Sequence, residues 1–350
     1  MSLRNLLPLF LMLILSLPVL AQDNETVVVV THDSFAISED VLLQFEDETG
    51  ITVEILRSGD AGQMVNQSIL SKNNPLGDVL YGVDNTFLSR ALDADIFVPY
   101  ESPALEFVAE DLQLDDQYRV TPIDFGDVCL NYDVAYFADN GLDLPESLAD
   151  LAESDYADLL VVENPATSSP GLAFMLATIA EFGTEGDYTF LEYWDELREN
   201  GVLVVDGWSE AYYGEFSAPG RDTGTRPLVV SYASSPPVEV YFSDPAPEEA
   251  VTGAIVADNM CFRQIEFVGV LDGANNIDGA QQFVDFMLSK TFQEDIPLNM
   301  FVFPVLEDAE LPEVFVEFVT IPENPAIVDY ELIDENREEW IQSWTEVMLR

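Results

Sequence analysis

The sequence predicts an α/β protein of two lobes, each a mainly parallel sheet flanked by helices, with a ligand cleft between the lobes. Short β-branched strand patterns alternate with amphipathic helix patterns along most of the chain. These patterns form two sets, so we expect the chain to cross between lobes twice, near residues 119–125 and 255–265. Residues 22–121 and 262–350 are predicted to form lobe 1, and residues 122–261 lobe 2.

The first residues have the composition of an export signal. One basic residue, Arg4, precedes an apolar stretch at 6–20, and the small residues Val19 and Ala21 follow the pattern of a cleavage site. We therefore predict a signal peptide at residues 1–21. Because no Cys follows the cut, a lipid anchor is not expected, and the mature protein should lie in a periplasm or at an extracytoplasmic cell surface.

The first set opens as βαβαβα, which favours a parallel sheet with crossover helices. Strands are predicted at 27–31, 51–56 and 78–81. One helix runs from Ser38 to Gly50 and a second from 60 to 73, with Leu70 inward. Asp84 is predicted to cap a third helix.

The second set continues the alternation. Strands are predicted at 158–162, 202–205 and 228–231. A helix is predicted from Ser169 to Gly183, with Ser169 as its cap and Pro170 at its first position. Strands at 254–257 and 262–271 lead back to lobe 1, which ends with helices at 276–289 and 329–350.

The chain is strongly acidic, with 66 Asp and Glu against 12 Lys and Arg and a net charge of −54. Such a surface argues against binding to nucleic acid or anionic lipid. Two explanations stay open: solubility, including in salty surroundings, and long-range attraction of a cation, which salt would screen.

The chain has two cysteines, Cys129 and Cys261. In an exported protein this number predicts a disulfide, here between the two crossing segments. The loop it closes is long, and the chain-entropy model gives about 4–5 kcal/mol of stabilisation. With two Cys and only one His, His32, neither a structural zinc site nor a His cluster is expected.

Six segments, in order along the chain, resemble thiamine-binding periplasmic proteins. They are Thr31-His32-Asp33-Ser34-Phe35, Gly82-Val83-Asp84-Asn85, Pro122-Ile123-Asp124-Phe125-Gly126, residues 164–172, Gly207-Trp208-Ser209-Glu210-Ala211-Tyr212 and Ser231-Tyr232-Ala233-Ser234-Ser235-Pro236. The resemblance implies a type II periplasmic-binding-protein fold, thiamine or its phosphates as ligand, and an ABC transporter permease as partner.

The chemistry of thiamine can be matched to residues in these segments. Its cationic thiazolium ring needs aromatic faces, and Trp208, Tyr232 and Phe301 are candidates. Its amine needs an acceptor, which could be Asp33, Asp84 or Asp124. A phosphate suits a helix start, here residues Thr167, Ser168 and Ser169 or, further along, Ser234-Ser235-Pro236. The resemblance also implies ligand contacts by His32, Ser34, Asn85, Phe125 and Tyr212.

The chain departs from the relatives at three places. His32 stands where Tyr is common, Phe301 stands where relatives have Trp, and the loop 217–226 is longer. Purely structural roles also remain open. Trp208 can be a core residue, Asp84 and Ser169 can be simple helix caps, and His32 can be a packing substitute for Tyr.

Two other functions remain open. One is a binding protein for another cationic solute, such as a polyamine or iron, although Tyr232 lacks the adjacent Tyr that iron sites of this fold usually use. The other is a thiamine-degrading enzyme with Cys129 as nucleophile, which the apolar strand context of Cys129 disfavours. We expect a monomeric binding protein without catalytic residues, metal or cofactor.

Overall fold

The computed structural model describes residues 26–218 and 224–349. The predicted signal peptide at 1–21 lies outside these ranges, as does part of the long loop at 217–226. None of the helices within these ranges combines the length and apolar character that a membrane span requires.

The strands of the described chain form one mixed sheet. They are β1 (Thr26–Thr31), β2 (Thr52–Arg57), β3 (Val79–Asp84), β4 (Phe97–Val98), β5 (Thr121–Asp133), β6 (Leu160–Glu163), β7 (Leu203–Val205), β8 (Leu228–Tyr232), β9 (Thr252–Ile255), β10 (Phe262–Leu271) and β11 (Phe303–Pro304). The main order is β2-β1-β3-β10-β5-β8-β6-β7, with β4 beside β10 and both β9 and β11 beside β5. The trios at the two ends, β2-β1-β3 and β8-β6-β7, are parallel, as predicted, whereas the centre is antiparallel.

Helices cover the sheet. They are α1 (Glu39–Thr49), α2 (Ala61–Leu70), α3 (Leu88–Asp93), α4 (Val134–Asn140), α5 (Leu148–Leu151), α6 (Ser154–Ala157), α7 (Ser169–Phe182), α8 (Phe190–Glu199), α9 (Pro236–Tyr241), α10 (Ile277–Met287), α11 (Lys290–Asn299), α12 (Glu313–Phe318) and α13 (Tyr330–Met348). Short 3₁₀ turns lie at Pro103–Phe107 and Glu110–Leu112, and a π-helical turn lies at Glu210–Glu215.

The predicted bounds of α1 are confirmed. Gly50 ends the helix with a φ of 75°, a left-handed conformation that Gly adopts without strain, and its N–H donates to Glu46 O at 2.8 Å. Ser38 occupies the cap position, but its hydroxyl donates to Asp295 Oδ1 at 2.6 Å instead of bonding its own helix. The cap residue therefore ties α1 to α11.

Three local predictions were wrong. Leu70 is 87% exposed, because α2 ends at this residue and turns its other apolar side chains inward. Asp84 does not cap α3, since β3 extends to it and Phe87 holds the cap position. Ser169 is the first residue of α7, and Ser168 occupies the cap position.

The two ends of the sheet are joined by β5 and β10. The first part of β5 pairs with β10 and its last part pairs with β8 and β9, so this 13-residue strand runs from one end group to the other. Cys129 of β5 and Cys261, just before β10, are fully buried and form a disulfide with a Cα–Cα distance of 4.3 Å. The predicted disulfide between Cys129 and Cys261 is confirmed.

The last helix, α13, contacts segments that lie next to the strands of both parallel trios. Its Trp344 meets Trp194 of α8 edge to face, with ring centroids 5.4 Å apart, and both indoles are fully buried. Nearer its start, Arg337 donates to Thr86 O at 3.2 Å and lies over the Phe87 ring. One helix thus packs across both halves of the molecule.

Candidate ligand-binding cavity

A cavity of about 300 Å³ lies between the loops that follow β1 and β7 and the amino end of α7. These loops leave the carboxyl ends of parallel strands, the edge where open α/β sheets bind ligands. The structure brings seven of the predicted ligand residues into its lining: His32, Asp33, Ser34, Ser169, Trp208, Tyr232 and Phe301.

Trp208 forms a partly exposed wall of this cavity. Its backbone N–H donates to Asp60 Oδ2 at 3.0 Å, and its indole Nε1–H donates to Ser231 Oγ at 2.9 Å. One face of the indole stacks on the buried ring of Tyr212, with centroids 5.0 Å apart and planes 11° apart. These contacts fix the orientation of the indole and leave at most one face for a ligand.

Two further aromatic residues in the lining are held by polar contacts. The hydroxyl of Tyr232 donates to Gln264 Oε1 at 3.1 Å. Phe301 has a φ of 55°, and its carbonyl oxygen accepts the Ser234 hydroxyl at 2.6 Å. A left-handed backbone at a non-glycine residue is uncommon and marks a position under constraint.

Carboxylates form the second part of the lining. Asp33, Asp60 and Glu266 all contribute to it. Asp60 also precedes α2 and accepts the Ala61 N–H at 2.8 Å, while Asp33 accepts the Gly59 N–H at 3.1 Å. Burial raises the pKa of Asp60, and the N–H donors oppose that shift. Among the described residues that line the cavity, none is Lys or Arg, so its charge favours a cation.

His32 and Glu266 form a buried pair at the cavity. His32 Nε2 lies 3.5 Å from Glu266 Oε1, and both side chains are about nine-tenths buried. Burial alone lowers the pKa of His32, but Glu266 together with Asp60 and Asp84 outweighs this effect and the pKa is raised. Burial likewise acts to raise the pKa of Glu266, and His32 reverses this, so that the pKa is lowered.

Beneath this pair lies a buried group of acids. Glu266 accepts the Tyr81 hydroxyl at 3.1 Å, and that hydroxyl also contacts the fully buried Asp124. Burial and the neighbouring Glu266 raise the pKa of Asp124 well above its usual value. The raised pKa favours the protonated form of Asp124, and this residue is not part of the cavity lining.

Besides the Tyr232–Gln264 and Ser234–Phe301 bonds, four hydrogen bonds join the predicted lobes beside the cavity. Ser34 Oγ and Ser209 Oγ lie 3.3 Å apart, and the Gly62 N–H donates to Thr167 O at 3.1 Å. The Ser169 hydroxyl donates to the buried Asp84, and the fourth bond is the one between Trp208 and Asp60 described above. The two sides of the cavity are therefore in direct contact.

Eight predicted ligand residues lie outside the lining: Asp84, Asn85, Asp124, Phe125, Thr167, Ser168, Tyr212 and Ser234. Asp84, Asp124, Ser168, Tyr212 and Ser234 are fully buried behind the walls. Thr167 donates to Asp206 O at 2.6 Å, and Asn85 bridges to the backbone of β10. Phe125 stacks on Phe303 in a separate groove.

Sequence reasoning missed twelve lining residues: Phe35, Ala36, Asp60, Ala61, Pro170, Ser209, Tyr213, Gln264, Glu266, Asn299, Met300 and Val302. Several are neighbours of predicted ones. A further lining residue, Ser235, was considered only as part of a helix start. The predicted position of Asp60 at a helix start after a strand was a usable signal, because such starts gather at the ligand edge of the sheet. For Gln264 and Glu266, which lie on the antiparallel strand β10, the sequence offered no comparable signal.

Neither a metal site nor a free thiol nucleophile is formed in the described chain. No group of three or more His, Cys, Asp or Glu within residues 26–218 and 224–349 is arranged to hold a metal. Cys129 and Cys261, both in these ranges, are joined in the disulfide, so the nucleophile that the enzyme hypothesis required is not available.

A family model described as bacterial extracellular solute-binding protein matches residues 74–317. The chain belongs to this family. This solute-binding protein functions outside the cytoplasm, and its predicted two-lobed α/β fold is confirmed.

Similar proteins share the full length of this solute-binding protein. It is 28% identical to the thiamine-binding periplasmic protein of Brucella suis biovar 1, over 98% of both chains. It is also 28% identical to the thiamine-binding periplasmic protein of Escherichia coli K12, over 99% of this chain and 100% of that one. A solved periplasmic thiamin binding protein superposes with a TM-score of 0.79 at 26% identity, covering 93% of this chain and 96% of the other.

Proposed function

We propose that this protein binds thiamine in the cavity beside Trp208 and delivers it to an ABC transporter permease in the membrane. The observation that carries the proposal is a cavity with aromatic walls, carboxylates and no described Lys or Arg in its lining. Full-length similarity to proteins named for thiamine binding supports it.

The thiazolium ring of thiamine matches the aromatic walls. A permanent cation over an aromatic face gains about 0.5–2 kcal/mol, more when both are desolvated. Trp208, Tyr232 and Phe301 line one cavity, where several such faces can act on one ring. The carboxylates attract the cationic ring electrostatically, an attraction that a neutral ligand of the same shape would lack.

The aminopyrimidine needs a hydrogen-bond acceptor at the cavity surface. Of the three predicted acceptors, Asp84 and Asp124 are fully buried and already accept protein donors. Asp33 is exposed and lines the cavity. We therefore assign the amine to Asp33, with the nearby Asp60 as a second acceptor.

We propose that unphosphorylated thiamine binds more tightly than its phosphates. A phosphate would bring negative charge to a cavity that already holds Asp33, Asp60 and Glu266. The amino end of α7, at Ser169 and Pro170, offers some compensation, because helix starts favour anions. The attraction of a phosphate by one helix start is weaker than its repulsion by three carboxylates. We therefore propose that thiamine binds more tightly than its phosphates.

The lobe boundaries remain a proposal, with lobe 1 as residues 22–121 and 262–350 and lobe 2 as residues 122–261. The division of the sheet at β5 and β10 supports them. Because α13 packs on both halves, we propose that this helix bridges the lobes. A monomer is sufficient for the proposed activity, since one chain supplies every wall of the cavity.

A ligand screen tests the function against its alternatives. Calorimetric titration with thiamine, its mono- and diphosphate, spermidine and ferric citrate should give the tightest binding for thiamine. Thiamine should also raise the melting temperature, because a ligand that binds only the folded state stabilises it. Saturable binding of spermidine or iron without binding of thiamine would assign the cavity to a different cation.

A further inference from the structure

His32 is the only histidine of the chain, and it lines the cavity. It is 7% exposed. Gly82, with a φ of 95°, brings bare backbone against the imidazole, and a Cβ at this position would lie 2.3 Å from His32 Cδ2. The ring is therefore held where a bound ligand would meet its charge.

Acidic groups face His32 from several elements. Glu266 of β10 is nearest, with the 3.5 Å contact, and Tyr81 of β3 lies with its ring centroid 5.8 Å from that of the imidazole. Asp60, before α2, and Asp84, at the end of β3, also favour the charged imidazole when they are ionised; burial raises the pKa of Asp84 to about 6, so this residue carries its charge mainly above that pH. No Lys or Arg of the described chain joins the lining. Among the residues that line the cavity, His32 is thus the basic group that can balance these carboxylates.

Electrostatics keeps this imidazole charged. The pKa of His32 is raised by Glu266 against the effect of burial, and the pKa of Glu266 is lowered in return. Both shifts favour an imidazolium that faces a carboxylate across the 3.5 Å contact. A cation that enters the cavity would meet the positive charge of His32 at short range, where the low dielectric makes repulsion strong.

We propose that His32 exchanges its proton for the cationic ligand. When thiamine enters, the imidazolium releases its Nε2 or Nδ1 proton to solvent, and the thiazolium charge takes over the balancing of Glu266. The inference rests on the proposed function and deepens it, because it makes binding of the cation a proton-coupled step.

The sign of the coupling follows from linkage. Since the ligand binds the deprotonated form better, it lowers the pKa of His32, and one proton at most leaves per ligand bound. Affinity then rises with pH until the pH exceeds the pKa of His32 in the free protein. The limit is about a tenfold change in dissociation constant per pH unit, the value for exchange of one full proton.

Calorimetry measures this proton directly. Titrations of thiamine in buffers with different ionisation enthalpies, each from pH 5.5 to 8, give the number of protons released. We expect net release in the wild type. We expect its loss in His32→Gln, which keeps an amide of similar size without a titrating charge. Glu266→Gln should also reduce the release, because His32 then loses the partner that keeps it charged.

A second measurement follows the imidazole itself. The single histidine gives unambiguous NMR signals when the protein is purified without a histidine tag. We expect a pKa above 6.5 in the free protein and a lower one with thiamine bound.

Thiamine binding that leaves this pKa unchanged, or equal proton release in wild type and His32→Gln, would overturn the exchange and leave the proposed function intact. Absence of thiamine binding in the wild type would overturn the proposed function and this inference with it.

Discussion

Removal of the Trp208 indole should weaken both thiamine binding and the fold. The side chain is partly exposed, and its contacts within the protein include the stack on Tyr212, an edge-to-face contact with Tyr213 and the hydrogen bond to Ser231. Each aromatic contact contributes about 0.5–1.5 kcal/mol and a hydrogen bond about 0.5–1.5 kcal/mol. We therefore expect Trp208→Ala to lower the free energy of unfolding by about 2–4 kcal/mol.

The expected loss in binding comes from the open indole face. Loss of its cation–π contact, together with the packing area it offers a ligand, should weaken binding by about 1–3 kcal/mol, or about 5–150-fold in dissociation constant. Trp208→Phe should recover much of this affinity, since a smaller aromatic face remains. It loses only the indole N–H that bonds Ser231.

A matched control separates the two effects. Trp194 is fully buried, and its indole N–H donates to Thr178 Oγ1 at 3.0 Å, away from the cavity. Trp194→Phe should destabilise the protein yet leave the affinity of the folded protein unchanged. Urea unfolding and calorimetric titration of all variants give both quantities. Wild-type affinity in folded Trp208→Ala would refute the role of Trp208 as a ligand wall.

Three further predictions concern stability. Replacement of both Cys129 and Cys261 by Ala should lower the free energy of unfolding by about 4–5 kcal/mol, because 132 residues separate the two ends of the loop; a urea titration showing no change would contradict this. Burial raises the pKa of Asp84 to about 6, so the folded state retains a proton that the unfolded state has lost, and stability from this group falls as pH rises from about 4 to 7. The free energy of unfolding of Asp84→Asn, relative to that of wild type, should therefore rise by about 2–3 kcal/mol from pH 4 to pH 7. A hydrogen bond lost in the variant lowers its stability equally at both pH values and does not change this rise. A stability difference between the two proteins that does not depend on pH would refute the raised pKa of Asp84. Finally, a net charge of −54 implies self-repulsion, so the melting temperature should rise between 0.05 and 1 M NaCl as charges are screened, and a fall would refute that reading.

Local sequence signals were sufficient for the outer parts of the fold. The run Val27–Thr31 and the Ser38 and Gly50 boundaries describe β1 and α1 because they depend on nearby residues alone. The long strand β5 was not predicted as one element. It contains Pro122 and Gly126, which normally interrupt strands, and its extended form depends on pairing with β10, β8, β9 and β11.

The wrong helix-cap predictions also arose because contacts with distant segments override local sequence signals. Asp84 has the right residue type for a helix cap, but its carboxylate accepts Ser169 from a distant segment and the Thr86 N–H at 2.7 Å. The Thr189 to Glu192 capping box at the start of α8 was present in the sequence and went unused. It shows that local signals for an unpredicted helix existed.

For the site, the sequence motifs identified the loops that form the cavity, but they did not show which motif residues line the cavity and which are buried behind it. Asp33 and Asp124 are both aspartates in segments that resemble the thiamine-binding proteins. Asp33 is exposed in the cavity, whereas Asp124 is fully buried. Depth depends on strand register and on how the two halves of the sheet meet. Glu266 lines the cavity because β10 pairs with β3 and β5, and no local sequence pattern indicates that pairing.

The most direct test of the proposed function is equilibrium dialysis of the purified mature protein against labelled thiamine. We predict saturation at one thiamine per chain, competition by unlabelled thiamine but not by spermidine, and recovery of intact thiamine after the protein is unfolded. Absence of saturable binding, or recovery of cleaved thiamine, would contradict the account.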